Sequence, residues 1–336
     1  MALAGKANFK KRTKKVGTRT YADRSFNRNA LVELNMSDLY DRFMSYKRTE
    51  GLSRITLRDY DVHYGYFIDF LEEKEGVRDL LHSELRLEVF TDYIAYMIDK
   101  ELMSNTINVR IRTIRAFLRW CYEEEYIDRP IHQKFKPVKA PQNEIEAFTP
   151  AEIRDLLATM DTKTYVGFRD YVMVMVLLDT MVRASELLTL KRSDVNLKTG
   201  EIHLEADNTK TKKFRILPIS NKTNRLLTEY FAETEEFRED VLFLTYDGRP
   251  VNDSTFRKRL IEYGEMANLR HKRVSPHTMR HTGALLYILN GGDPFSLQKI
   301  LGHTDLSMVR RYVNMVDGNV KSQHEHFSPL KSVFNK

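Results

Sequence analysis

Apolar residues recur at helical spacing through the first third of the chain, and breaks in that spacing mark the turns. Ser37 reads as an N-cap, followed by Leu39, Tyr40, Phe43 and Met44 on one face and a stop near Gly51. A second helix is expected after Ser53, with Ile55, Tyr60, Phe67, Ile68 and Leu71 inward and an end before Gly76. A third, over 84–100, uses Leu85, Val89, Tyr93, Tyr96 and Met97. A fourth, after Ser104, places Ile107, Ile111, Ile114 and Leu118 at intervals of four, three and four. Together they read as one helical bundle over 35–136.

Pro130, Pro137, Pro141 and the stretch 139–146 interrupt the pattern, which puts a linker at 137–148. Thr149, Pro150 and Glu152 then supply an N-cap, a first-turn proline and a capping-box acid, opening a second domain over 149–317. Residues 166–182 are apolar nearly all round and predict a buried central helix. Glu201–Glu205 and Phe214–Ile219 alternate like strands and read as a hairpin around the polar turn Asp207–Lys212. Helices return at about 221–235, 253–268, 277–290 and 294–301. The fold class is therefore mainly α, in two domains, with a small β-hairpin in the second.

With 336 residues and 42% hydrophobic content, the chain is long enough for two cores. The single Cys121 excludes a disulfide framework and a cysteine-rich zinc module. No run of about 18 apolar residues is present, and the N-terminus lacks the apolar stretch of a secretory signal. The expected location is the cytoplasm, with no membrane partner. Charge is strongly uneven. Residues 1–28 hold nine Lys/Arg against Asp23, a net +8, while the whole chain carries +7. Residues 1–34 thus read as a flexible basic arm able to neutralise phosphates by counterion release.

Chemistry concentrates in particular segments. On the fourth helix Arg112, Arg115 and Arg119 share a face away from the isoleucines, with Arg110 nearby and no acid until Glu123. That face is either simply solvated or suited to a DNA groove and its phosphates. Arg183 ends the apolar helix and needs a counter-charge, which Glu186 supplies; the pair is either self-contained or a guanidinium held ready for a phosphate. Lys210 lies in a basic hairpin turn with Lys212, Lys213 and Arg215. His277 and Arg280 are three apart after Ser275-Pro276, on one face of a helix start that favours an anion. His277 and His281 have the spacing of a metal pair, but no adjacent glutamate completes a zinc-hydrolase motif, so no metal is expected. Leu301-Gly302 presents His303 on a tight turn, and Tyr312 follows beside Arg310 and Arg311.

The order Arg183, Lys210, His277, Arg280, His303 and Tyr312 resembles the tyrosine recombinase (phage integrase) family, with its Xer-type and transposon-encoded members nearest in pattern. The resemblance runs from about residue 35 to 330. It implies a SAM-like core-binding domain and a catalytic domain that together form a C-shaped clamp around double-stranded DNA. It also implies that Tyr312 attacks the scissile phosphate to give a 3′-phosphotyrosyl bond, with His277 as base and Lys210 as acid toward the 5′ oxygen. Arg183 and Arg280 then clamp the non-bridging oxygens, His303 hydrogen-bonds the phosphate, and Glu186 supports Arg183. Lys212 and Lys213 join the helix-four arginines as DNA contacts. The family usually has glycine where this chain has Met181. No metal, ATP or other cofactor is implied. A recombinase assembles four protomers through a Holliday junction, and is monomeric or dimeric when free.

Integration, excision and resolution of a mobile element all share this chemistry. A type IB topoisomerase is the alternative enzyme, and a non-catalytic DNA-binding regulator the alternative of another class. The tail 318–336 places Val320, Phe327, Leu330, Val333 and Phe334 in a small amphipathic element, which either packs on its own domain or docks on a neighbouring protomer. Deleting residues 1–28 is predicted to flatten the salt dependence of DNA binding; an unchanged log–log slope against salt would refute a phosphate-contacting arm.

Overall fold

The structure, a computed structural model, describes residues 33–141, 145–205, 214–237, 239–302, 305–315, 324–325 and 328–334. The basic arm other than residues 33 and 34, the turn lysines Lys210, Lys212 and Lys213, His303, and most of the tail lie outside the described residues. The chain forms two units that divide between Gln142 and Asn143.

In the first unit, α1 (Met36–Thr49), α2 (Arg54–Glu75), α3 (Leu87–Asp99) and α4 (Ser104–Glu123) are joined by short turns, and the short α5 (Ile131–Lys134) follows. Their core is rich in aromatics: Phe43, Phe67, Phe70, Phe90, Tyr93 and Phe117 are all fully buried. Tyr40 stacks on Tyr64 with ring centroids 3.6 Å apart. Helix boundaries follow local chemistry. Ser53 caps α2 by accepting from the Thr56 amide, and Gly76 ends it in the left-handed conformation. Three expectations need correction. Asn35, not Ser37, precedes α1, because Ser37 lies inside the helix and donates its hydroxyl to Asp79. Ile55 is 67% exposed, since it falls in the first turn of α2 before the helix reaches the core. The third helix begins at Leu87 after a 3₁₀ turn at His82–Glu84, and buries Phe90.

The second unit is built around α7 (Tyr165–Thr180), preceded by α6 (Pro150–Ala158). Thr149 and Glu152 form the expected capping box on α6. Glu152 also accepts from Lys272 at 2.7 Å, which ties the start of α6 to the segment before a later helix. α7 buries Val172, Met173, Val174, Val176 and Leu177, and also the ion pair Arg169–Asp170 at 2.6 Å. The short α8 (Ala184–Leu188) follows, then an antiparallel sheet of β1 (Val195–Asn196), β2 (Glu201–Leu204) and β3 (Arg215–Pro218) in that order. The expected hairpin is present, and β1, too short for a periodicity signal, is the strand that alternation missed. Around α7 pack α9 (Asn221–Glu233) and α11 (Pro276–Leu289). The helix between them in sequence, α10 (Asp253–Met266), packs on α6 and α8 and reaches α7 through Arg259 and Tyr263, which bond Asp170. Both α12 (Pro294–Leu301) and α13 (Ser307–Met315) close on α11. A last helix, α14 (Pro329–Phe334), leaves Leu330 and Val333 exposed.

Two backbone features set the spacing at the centre of this unit. A Cβ on Gly283 of α11 would lie 2.4 Å from the Leu178 carbonyl, so glycine lets α11 approach α7 closely. Met181 ends α7 with φ of 51°, a left-handed conformation that L side chains rarely adopt. Its side chain is nevertheless buried with Ala284, Leu297, Leu301 and Val309. Left-handed strain costs on the order of 1 kcal/mol, whereas truncating a buried methionine costs about 2–5 kcal/mol. Burial wins. Met181→Gly is therefore predicted to destabilise this unit by roughly 1–3 kcal/mol, read by chemical denaturation; a stabilised variant would show that strain dominates.

Candidate active site

Arg183 sits at the N-cap of α8, and the turn that places it is closed by Glu186 three residues on. Glu186 accepts from the Arg183 amide at 3.0 Å and from its guanidinium at 2.9 Å. Its other partner is Arg215 of β3, whose guanidinium donates at 2.7 Å. The carboxylate is only 1% exposed. Burial pushes its pKa up, but Arg215 and then the Arg183 amide and guanidinium more than offset that, so Glu186 titrates below its ordinary value.

The same arginines reach the end of α12. Arg280 donates to the Leu301 carbonyl at 2.8 Å and Arg215 donates to the same oxygen at 3.2 Å. Arg183 donates to the Gly302 carbonyl at 3.4 Å. These are terminal helix carbonyls, the negative end of α12, and they need donors. Gly302 is left-handed, and a Cβ there would lie 2.0 Å from an Arg215 nitrogen, so only glycine fits. Arg280 also donates to the Met181 carbonyl at 2.5 Å, which uses the left-handed turn at that residue. Burial, then repulsion from Arg183, lowers the Arg280 pKa to about 9, which leaves it charged at neutral pH.

A crevice beside this cluster is lined by Arg183, Ser185, Asp253, Arg257, His277 and Arg280. The positive N-terminal end of α11 opens on it at Pro276 and His277, and Ser275 caps that helix. His277 faces the crevice and is exposed. Partial desolvation there, with Arg280, Arg273 and Arg257 nearby, lowers its pKa below the ordinary imidazole value. One turn along α11, the His281 Nε2 is 2.8 Å from the His277 Nε2. The His281 Nδ1 is hydrogen-bonded to the hydroxyl of Tyr312, which comes from α13. Tyr312 is 1% exposed; burial pushes its pKa up to about 12 against the opposing pull of Arg280 and Arg311.

The structure therefore brings together Arg183, Glu186, His277, Arg280 and Tyr312, drawn from α8, α11 and α13. Lys210, Lys212, Lys213 and His303 lie outside the described residues. In the first unit, Arg112 and Arg119 are exposed on α4, while Arg110 lies over the Tyr66 ring at 3.6 Å and Arg115 donates to the His132 carbonyl at 2.9 Å. Among the described residues no group of His, Cys, Asp and Glu could hold a metal ion.

Two residues gain a place that sequence reasoning did not give them. Arg215, read as part of the basic turn, is buried on β3; strand alternation puts it on the same face as Leu217 and leaves Ile216 exposed. His281, weighed only as a metal partner of His277, lies between His277 and Tyr312, so His277 makes no direct hydrogen bond to the phenol. Helical spacing carried that signal, because positions 277 and 281 share a face.

The sequence model of the phage integrase family matches residues 146–318, and that of the phage integrase SAM-like domain matches residues 35–137. The chain belongs to the phage integrase family. Among this integrase's relatives, tyrosine recombinase XerD of Listeria monocytogenes serotype 4b (strain F2365) is 26% identical over 301 residues, covering 88% of this chain and 99% of the relative. Tyrosine recombinase XerD of Haemophilus ducreyi is 28% identical over 286 residues, 83% and 93% of the two chains. Among solved structures, the Tn1549 transposon integrase in complex with transposon right end DNA superposes with a TM-score of 0.70 at 18% identity, covering 88% and 99%. A lambda integrase tetramer bound to a Holliday junction gives 0.67 at 15% identity, covering 88% of each chain. At those identities the superpositions show a shared fold, mainly helical with a small antiparallel sheet.

Glu186→Ala would leave the buried Arg215 and the partly buried Arg183 beside each other without their carboxylate. The predicted loss of unfolding free energy is about 3–5 kcal/mol at neutral pH, read by denaturant titration; a loss under roughly 1 kcal/mol would show that the α12 carbonyls suffice. Because the Glu186 pKa is lowered by folding, its contribution is present above the unfolded value of 4.5 and is lost as pH falls through the folded value. Glu186→Gln should lack that part of the acid-induced loss.

Proposed function

We propose that this protein is a site-specific tyrosine recombinase that cuts and rejoins double-stranded DNA for the integration, excision or resolution of a mobile element. The observation that carries the reading is the phenol of Tyr312 closing, from its own helix, on a site where Arg183 and Arg280 stand beside a histidine pair. Tyr312 attacks the scissile phosphate, forms a 3′-phosphotyrosyl bond and releases a 5′ oxygen. Arg183 and Arg280 stabilise charge on the non-bridging oxygens, which requires donors already fixed in place. Glu186, the Leu301 carbonyl and the Met181 carbonyl supply that fixing. Lys210 protonates the leaving 5′ oxygen and His303 hydrogen-bonds the phosphate. The phosphotyrosyl link conserves bond energy, so the chemistry requires neither ATP nor a divalent ion.

XerD relatives are tyrosine recombinases, and the integrase structures that share this fold include DNA complexes and a tetramer on a Holliday junction. They support strand exchange by four protomers over the topoisomerase alternative, with a monomer or dimer when free. Residues 35–136 form the core-binding domain, 149–317 the catalytic domain, and 137–148 the linker in this reading. Arg110, Arg112, Arg115 and Arg119, with Lys212 and Lys213, contact DNA, as does the arm. The exposed Leu330 and Val333 of α14 support docking of the tail on a neighbouring protomer. No helix among the described residues is long and apolar enough to cross a membrane. The protein acts on DNA in the cytoplasm.

A nicked suicide duplex carrying the cognate site tests the reading. Wild type is expected to form a covalent DNA adduct, Tyr312→Phe none, and Arg280→Ala at least about 10²-fold less at equal binding. Adduct formation by Tyr312→Phe would sink the assignment. Supercoil relaxation without strand exchange would favour the topoisomerase.

A further inference from the structure

We propose that His281 accepts the phenolic proton of Tyr312 and passes it to His277, so that the base for cleavage is a two-histidine relay. The proposal rests on the reading of Tyr312 as nucleophile and adds to it a route for the proton. Geometry carries it. Both ring nitrogens of His281 are engaged in one line, Nδ1 with the Tyr312 hydroxyl and Nε2 with the His277 Nε2 at 2.8 Å. The His281 ring stands between the other two, with centroids 4.1 Å from His277 and 5.7 Å from Tyr312.

The line has a direction. Two Nε2 atoms in a hydrogen bond need one proton between them, and the phenol has a proton to give. A consistent resting state has the Tyr312 O–H donating to His281 Nδ1, His281 Nε2–H donating to His277 Nε2, and the His277 proton on Nδ1. In cleavage the phenolic O–H breaks as N–H forms at His281 Nδ1. His281 Nε2–H breaks as N–H forms at His277 Nε2, leaving His277 as the imidazolium at the crevice. The Tyr312 oxygen bonds phosphorus, the bond from phosphorus to the 5′ oxygen breaks, and that oxygen takes a proton from the acid assigned to Lys210. Rejoining runs each transfer backwards.

The surroundings suit a neutral His277 that waits for a proton. Arg280 on α11, Arg257 on α10 and Arg273 before α11 lie near His277. Tyr312 has Arg280 and Arg311 nearby, and Arg183 and Glu186 stand behind Arg280. The acids in this set are already paired, Glu186 with Arg183 and Arg215 and Asp253 of the crevice with Arg257 at 2.6 Å. The set is cationic on balance and disfavours resting protonation of His277, which is exposed at the crevice and offers the proton a path to solvent.

The test measures adduct formation on the suicide duplex from about pH 6 to 9.5 for wild type and His281→Gln, which keeps an amide able to hydrogen-bond but cannot accept a proton. Expected at neutral pH is a loss of about 10²–10³-fold that narrows roughly tenfold per pH unit as the phenol ionises unaided. A 5′-bridging phosphorothiolate, whose leaving sulfur needs no acid, should leave that loss in place. Wild-type rate and profile in His281→Gln, a loss independent of pH, faster cleavage, or rescue by the phosphorothiolate would each overturn the relay. Should the variant fail to fold, a proton inventory of wild-type cleavage in H₂O/D₂O mixtures decides. A bowed plot is expected for two protons in flight, and a linear or flat one overturns the relay. Tyr312→Phe keeps the readings apart: adduct from it sinks the nucleophile, while its inactivity beside a wild-type His281→Gln sinks the relay alone.

Discussion

Much of the catalytic unit depends on how two buried arginines and a partly buried third are kept apart and charged by one carboxylate. Arg183, Arg215 and Arg280 converge on the carbonyls that end α12, and Glu186 ion-pairs with the first two. Each unpaired buried ion costs several kcal/mol even after relaxation. One carboxylate and the partial negative charge of a helix end, roughly half a unit, do not balance three cations. The cluster is left with positive charge beside a crevice, which is the condition for an anion to bind there more tightly than water. A phosphoryl group gaining negative charge as it is attacked would be held best of all, and that preference is what makes such a site catalytic.

The fold delivers those groups through close backbone contact rather than through long side chains. Gly283 brings α11 against α7, so the Met181 carbonyl falls within reach of Arg280. Gly302 leaves room for Arg215, and Arg215 carries the position of β3 into the cluster. The strand β3 is thus anchored to the carboxylate that holds Arg183. A change of strand register by one residue would put Ile216 where Arg215 is and remove an arginine from Glu186. Strand pairing and phosphate-site charge are one constraint here.

How far the sequence revealed this varies with the kind of interaction. Helices with caps of their own were readable, as at Ser53 and Thr149, because side chain and backbone within four residues decide them. The Arg183–Glu186 pair was readable for the same reason. Arg215 reads as part of the basic turn because its partner lies 29 positions away and Lys210, Lys212 and Lys213 precede it closely. Ser37 was misread because its hydroxyl goes to Asp79, 42 positions on, instead of capping its own helix. His281 was seen but assigned no work, since only the fold brings α13 to it. Local bonds show in local sequence, and bonds between distant elements show only as an apparently misplaced residue, such as an arginine on the inner face of a strand.

The burial of Tyr312 raises a last energetic question. With its pKa at about 12, ionising the phenol alone near pH 7 costs roughly 7 kcal/mol. Turnover at about 1–10² s⁻¹ corresponds to a barrier of about 15–17 kcal/mol, so a free phenolate consumes a large share of the barrier without forbidding the reaction. Bound phosphate raises that share, and concerted transfer removes it. A phosphate held by Arg280 takes up its charge and so weakens its help to the phenolate, which argues against ionisation before attack. Proton transfer concerted with formation of the oxygen–phosphorus bond avoids a separate phenolate altogether, because negative charge passes to the phosphoryl oxygens as it appears. A base already hydrogen-bonded to the phenol is what concerted transfer requires, and in this structure the phenol is hydrogen-bonded to a histidine of α11, the helix that also supplies Arg280.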